Sequence, residues 1–257
     1  MPAFLASRPV LPTLVLLAAL LIAIPLPAQN SFRQGFDDRF DAWGMGILAP
    51  AAGDLPGEAT VFPDTFLTVY EAPGGAIIGR LVMGTAESEY LPDLRPILLV
   101  TADGGGAVPR EWTREVTYEG RALLFFERGD GFVRVSPAGV RPVWVSEAEL
   151  AACGWTTRPW IDHLTAMPTE FFPLPTTGLN LRETPSGDGE WRTVLDDPRF
   201  LIRPTGARDG QWLEVTVKEY PAHPCEGGSD LYVEWTGWVK AVDDRGIPNL
   251  WYFTRGC

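Results

Sequence analysis

The chain has 257 residues, with 33 Asp and Glu against 21 Lys and Arg and a net charge of −12. That sign makes DNA, RNA and anionic lipid headgroups poor partners, because binding them needs a basic surface. The 27 Gly and 24 Pro break the chain too often for long helices and predict many short strands joined by turns.

Residues 1–28 have the layout of a secretory signal peptide. Arg8 is followed by an apolar core from Val10 to Leu26, interrupted by Pro12 and Pro25, and Leu26-Pro27-Ala28 offers a small residue before Gln29. Cleavage there predicts a secreted or periplasmic protein with no membrane association beyond the lost leader. A retained anchor is the rival reading, but the run is at the lower length limit for a span and its prolines disfavour a straight helix. Removing the leader takes away Arg8 and no acid, so the exported chain is still more acidic.

Residues 29–65 form a polar, Gly- and Pro-rich N-terminal segment. Its acidic cluster, Asp37, Asp38 and Asp41, lacks the spacing of a calcium loop and reads as a solvated face. The apolar run Trp43 to Leu48 predicts a strand added to the domain that follows.

The first domain is set at 66–150. It opens with LTVYEAPGGAIIGRL, Leu67 to Leu81, two strands around a turn at Ala72-Pro73-Gly74-Gly75. Ala122–Glu127 and Phe132–Ser136 flank Arg128-Gly129-Asp130-Gly131, a hairpin signal. Val140–Val145, ending in Trp144-Val145, reads as the next strand. Residues 151–176 form a connector holding Pro159, Pro168, Pro173 and Pro175 with Trp155, Trp160, Phe171 and Phe172. Its prolines stiffen it, and its aromatic rings predict that it packs on a domain and does not swing freely.

The second domain, 177–257, repeats the first. LNLRETPSGDGEWRTVL, Leu179 to Leu195, matches the opening, and Phe200–Arg203 and Gln211–Val217 flank a second turn at Thr205–Gly210. Asp230–Trp235, Gly237–Ala241 and Leu250–Thr254 read as further strands, with Trp238-Val239 answering Trp144-Val145. Such a repeat implies two copies of one small fold. The spacings place loop insertions at about Glu87–Val116 in the first copy and Glu219–Leu231 in the second, and surface insertions often carry function.

Cys153, Cys225 and Cys257 favour disulfide chemistry over metal in an exported chain, and any of three single bridges is open. Cys225 with Cys257 is the favoured pair, since both lie in the second copy, leaving Cys153 as a buried free thiol or an intermolecular link. His163 reads as a linker residue that packs or faces solvent. His223 with Cys225 and Cys257 matches no usual zinc spacing, so neither metal nor cofactor is expected.

The second domain resembles the bacterial SH3-like family, small β-barrels of exported proteins. Leu179-Asn180-Leu181-Arg182-Glu183-Thr184-Pro185 matches the family's opening strand, Gly210-Gln211-Trp212-Leu213-Glu214-Val215 its hairpin strand, and Gly237-Trp238-Val239 its closing strand. The first domain is a divergent copy, with Tyr70 where Arg182 stands, Phe132 for Trp212 and Val143 for Gly237. The resemblance implies an all-β protein of two tandem SH3-like barrels with loop insertions. Trp212 and Trp238 are assigned to core, because a barrel this small needs large rings to fill it.

Family members often sit beside cell-wall hydrolases, so the resemblance implies a non-catalytic envelope protein that binds a peptide, peptidoglycan or an envelope protein. Flat rings pack on extended chains. On that ground Tyr70, Trp191, Tyr220, Trp235 and Trp251 are the candidate ligand contacts. The alternative is a structural or interaction subunit docked on another secreted protein. A wall hydrolase is a weaker expectation. Cys153 and His163 stand ten residues apart in the connector without room for a catalytic domain, and the paired acids Asp196-Asp197 and Asp243-Asp244 read as turn residues.

Overall fold

Strand β1 (Gly46–Pro50) is buried along nearly its whole length, with Ile47, Leu48 and Ala49 fully enclosed, as expected of an interior strand. It lies between β7 (Arg121–Phe125) and β11 (Trp155–Pro159), and β6 (Thr113–Glu115) adds to β7 to complete a four-stranded sheet. The computed structural model describes residues 43–53, 55, 59–85, 95–118, 120–174, 179–195, 199–221 and 231–252. All of them belong to one compact unit, Asp38–Cys257. The leader, residues 1–28, lies outside the described residues. Among the described residues no helix is long and apolar enough to cross a membrane.

The rest of the described chain is mostly β, in two seven-stranded sheets. In the first, β2 (Leu67–Tyr70) pairs with β3 (Ile77–Met83) on one side and β10 (Trp144–Ser146) on the other. Beyond β3 follow β4 (Ile97–Thr101) and β5 (Gly104–Ala107); beyond β10 follow β9 (Phe132–Arg134) and β8 (Glu127–Gly129). In the second sheet, β13 (Leu179–Arg182) pairs with β14 (Trp191–Leu195) and β17 (Val233–Lys240). Next come β16 (Trp212–Glu219), β15 (Phe200–Asp209), β12 (Phe171–Pro173) and β18 (Leu250–Tyr252).

The two sheets share one ladder. Leu67 faces Leu81 as Leu179 faces Leu195, and Tyr70 faces Ile77 as Arg182 faces Trp191. A register shift falls between Val69 and Tyr70 in one sheet and between Leu181 and Arg182 in the other. Trp144 joins Tyr70 to Arg134, and Trp238 joins Arg182 to Glu214. Opening strands alternate in the same phase, with Leu67 and Val69, and likewise Leu179 and Leu181, turned to the core.

Several segments depart from the sequence expectations. The first hairpin turns at Asp130-Gly131, with φ of 55° and 76°, the left-handed pair that a two-residue hairpin loop requires. Its first arm is Glu127–Gly129. The run Arg121–Phe125 leaves for the four-stranded sheet, because its near-continuous apolar character suits a strand covered on both faces. The second hairpin turns at Gly210-Gln211, and Thr205–Asp209 belongs to β15 as a bulged extension. The stretch from 87 to 116 is in part structured, since it contributes β4, β5 and β6. Val233–Lys240 is one strand, where two were expected.

The connector holds the end of helix α1 (Glu147–Ala152), then β11, helix α2 (Trp160–Ala166) and β12, so each part joins a sheet or packs on one. Two cores result. Leu48, Leu123 and Phe125 meet Leu67, Val69, Leu81, Val133, Val145 and Leu150 between the first two sheets. Beside α2, Trp43, Trp160, His163, Phe171, Trp251 and Tyr252 form a buried aromatic cluster of edge-on and stacked rings. Trp160 Nε1 donates to the carbonyls of Trp43 and Gly44, and the Arg114 guanidinium lies 3.9 Å over the Trp43 ring.

Candidate functional site

In β16, Leu213, Val215 and Val217 are buried, so strand alternation turns Trp212, Glu214 and Thr216 to the opposite face. In β13, Asn180 and Arg182 share that outward phase, and in β17 Trp238 and Lys240 do. Trp212 and Trp238 are therefore half-buried on the outer face of the sheet, which corrects their assignment to core. The core face is filled by the aliphatic residues between them.

At the end of this face lies a cleft of about 460 Å³, in the size range of small-ligand pockets. Its lining includes Asn180, Arg182, Trp212, Lys240, Asp244 and Asn249, over an apolar base of Leu174 and Leu179. The wall after β17 is rigidly tied. Asp243 Oδ1 accepts from Arg245 N at 2.9 Å and Ile247 N at 2.8 Å, closing a turn on its own side chain. Gln211 Nε2 donates to Asp243 O, Asn249 Nδ2 to Lys240 O, and Leu174 N to Asn249 O, each at 2.9 Å. On the other wall, Arg182 donates to the carbonyl of Gly189. Lys240 Nζ lies 2.6 Å from Asp244 Oδ1, whose side chain is 87% exposed. The lining thus carries two cations, Arg182 and Lys240, and one carboxylate, Asp244, in a chain of net charge −12.

The corresponding place in the first sheet is closed. Register puts Thr68 where Asn180 stands and Ser146 where Lys240 stands. Glu149 Oε1 fills it, accepting from Thr68 N at 2.9 Å and Thr68 Oγ1 at 3.0 Å. The carboxylate is held there by α1, which Ser146 caps through Glu149 N.

Four of the rings named from the sequence, Tyr70, Tyr220, Trp235 and Trp251, stand in different surroundings. Tyr70 is half-buried in the first sheet, its ring edge-on to Phe132 at 5.3 Å. Trp191 stands opposite Arg182 in the β13–β14 ladder, and its side chain lies outside what the structure describes. Tyr220 follows β16 and packs at 5.5 Å from Tyr232. Trp235 is half-buried on the core-facing side of β17, opposite Val217. Trp251 is 4% exposed, 4.6 Å from the Trp43 ring and 5.1 Å from Trp160, within the aromatic cluster.

Cys225 and Cys257 lie outside the described residues, and so does His223. Cys153 is a half-buried free thiol whose Sγ donates to Leu150 O, and burial raises its pKa. His163 packs, at 1% exposure; burial first, and the charge of Arg158 second, lower its pKa to about 4. Among the described residues no group of three His, Cys, Asp or Glu side chains could hold a metal. Asn180, Gln211, Lys240, Asp244 and Asn249 line the cleft and were not among the ligand contacts named from the sequence. The legible signal was phase: Trp212 is one residue out of step with the apolar series Leu213, Val215 and Val217.

Comparison with family models, curated proteins and solved structures gives no match, so the functional reading rests on this geometry.

Proposed function

We propose that the chain is a non-catalytic exported binding protein built on two SH3-like barrels, and that the cleft beside Trp212 is its ligand site. The shared ladder of the two seven-stranded sheets supports the tandem reading, since the motif strands β2 and β13, β9 and β16, and β10 and β17 occupy equal places in it. The observation that carries the site is the cleft itself, which sets an indole beside amide and charged groups over an apolar base. That combination suits an extended peptide, such as the peptide portion of peptidoglycan, because a ring packs on the backbone while amides and cations select polar groups.

Co-sedimentation of residues 29–257 with purified peptidoglycan tests the reading. Saturable binding that weakens in Trp212→Ala, and persists in Trp235→Ala, places wall recognition at the cleft. No sedimentation at low and moderate salt removes it. A second reading, docking on another secreted protein, draws on the exposed apolar run that opens β17, Leu231, Tyr232 and Val233, of which Leu231 is 77% exposed. A stable complex in envelope extracts that survives Trp212→Ala and is lost in Leu231→Asp supports that reading.

A further inference from the structure

We infer that the cleft of the second sheet receives a carboxylate, the C-terminal or side-chain carboxylate of a peptide, held by Asn180 together with Arg182 and Lys240. This rests on the binding reading above and names the chemical group that the site selects.

The repeat supplies a precedent. In the first sheet a carboxylate already occupies this place: Glu149 Oε1 accepts from both the backbone N–H and the hydroxyl of Thr68. Asn180 holds the same ladder position, opposite Val194 as Thr68 is opposite Arg80, and two residues before the strand's pairing with Trp238 as Thr68 is before Trp144. Among the described residues the β13–β17 ladder contains Arg182–Trp238 and does not reach Asn180. The carbonyl of Lys240 accepts from Asn249 Nδ2. Asn180 therefore brings amide donors to the open cleft where Thr68 brings a filled pair.

The flanking residues change in the same sense. The tethered Glu149 has neutral neighbours at the equivalent places, Tyr70 and Ser146, whereas the open copy has Arg182 and Lys240. A carboxylate carried on α1 is delivered by the chain. One arriving from solvent in a strongly acidic molecule needs a local positive field and charge-assisted hydrogen bonds to hold it. Asp244 is the competing acid. It reaches Lys240 from an exposed position in the turn after β17, and an incoming carboxylate displaces it at little cost, as exposed ion pairs are weak.

The test is an NMR titration of the whole chain, 15N-labelled, with acetyl-Ala-Ala-Ala as the free acid and as the carboxamide, and with sodium phosphate at equal ionic strength. The free acid is expected to shift the Asn180 amide and the Trp212 indole saturably. The carboxamide and phosphate should bind about tenfold more weakly or less. Arg182→Gln lowers the affinity for the acid, and Asp244→Asn raises it by freeing Lys240, a gain that a purely structural role for these residues does not give. Equal shifts from acid and carboxamide, equal shifts from phosphate, or no shift at Asn180 from any probe overturns the carboxylate assignment. Wall co-sedimentation is scored separately, so retention of wall binding with equal acid and carboxamide affinities leaves the binding reading standing and removes this one alone.

Discussion

His163 Nε2 lies 2.7 Å from Tyr252 Oη, and both rings are buried. The hydroxyl proton of Tyr252 is donated to Val116 O at 2.8 Å, so the imidazole contributes the N–H. This chain of two hydrogen bonds links α2, the last strand of the second sheet and the residue that follows β6. Burial shifts both groups away from charge: His163 falls to about 4, and Tyr252 is raised, by burial first and by the negative charge of Glu115 second.

The sign of the pH dependence follows. The folded state keeps His163 neutral down to about pH 4, whereas the unfolded chain protonates it near its ordinary 6.5. Between those values the unfolded state binds more protons, so this contribution is whole above about pH 6.5 and is lost as pH falls toward 4. It amounts to about 3 kcal/mol. Urea unfolding at pH 7.5 and 4.5 measures it. His163→Gln, which does not titrate, should show a shallower loss over that interval, and equal slopes in the two proteins would sink the assignment.

Two tryptophans chosen by different criteria give opposite expectations. Trp251→Ala empties space between Trp43 and Trp160 and should cost about 3–5 kcal/mol of stability. Trp212→Ala removes a half-buried ring from the cleft and should cost about 1 kcal/mol while reducing ligand binding. Unfolding curves and sedimentation on the same two proteins separate the roles. A Trp251→Ala protein with near-native stability would contradict the packing described for the aromatic cluster.

The repeat was legible because it is written in types that the ladder uses directly. Leu67 and Leu179 open strands of equal phase, Trp144 and Trp238 join equal partners, and each hairpin needs Gly where φ is positive. The four-stranded sheet was not legible. Its strands come from residues 46–50, 113–125 and 155–159, and the pairings of β1 with β7 and β11, so far apart in sequence, leave no local signature. The cleft was not legible for a related reason. Flat rings were taken as ligand contacts and large rings as core, and neither rule tells the enclosed Trp251 from the half-buried Trp212. The cleft depends on which face Asn180, Arg182 and Lys240 occupy, and on where the turn after β17 returns.

Gly237 shows what one letter of the closing motif is for. A Cβ built on it would stand 2.6 Å from Arg182 O and 3.0 Å from Leu181 Cδ1. Its strand approaches β13 there because the next residue, Trp238, pairs with Arg182. Gly237→Ala must push the two strands apart beside the cleft. The expected result is a loss of about 2 kcal/mol in urea unfolding together with weaker ligand binding. A variant of native stability and native affinity would show that the two strands have room to separate.

Glu149 is the remaining test of the comparison between the sheets. Glu149→Ala leaves Thr68 N–H and Oγ1 without their acceptor on a strand packed into the first core, and should cost about 1–3 kcal/mol. Glu149→Gln keeps an acceptor oxygen at the same reach, so it should lose less. Thermal unfolding of the pair gives the order. If Ala and Gln are equally mild, the carboxylate in the first sheet is incidental, and its counterpart in the second loses the precedent on which the choice of an acidic ligand depends. If Ala is costly and Gln partly restores the loss, the ladder position itself selects an acceptor. The open copy, with Asn180 in place of Thr68 and Arg182 and Lys240 beside it, then sets donors and cations at the same ladder position in the cleft.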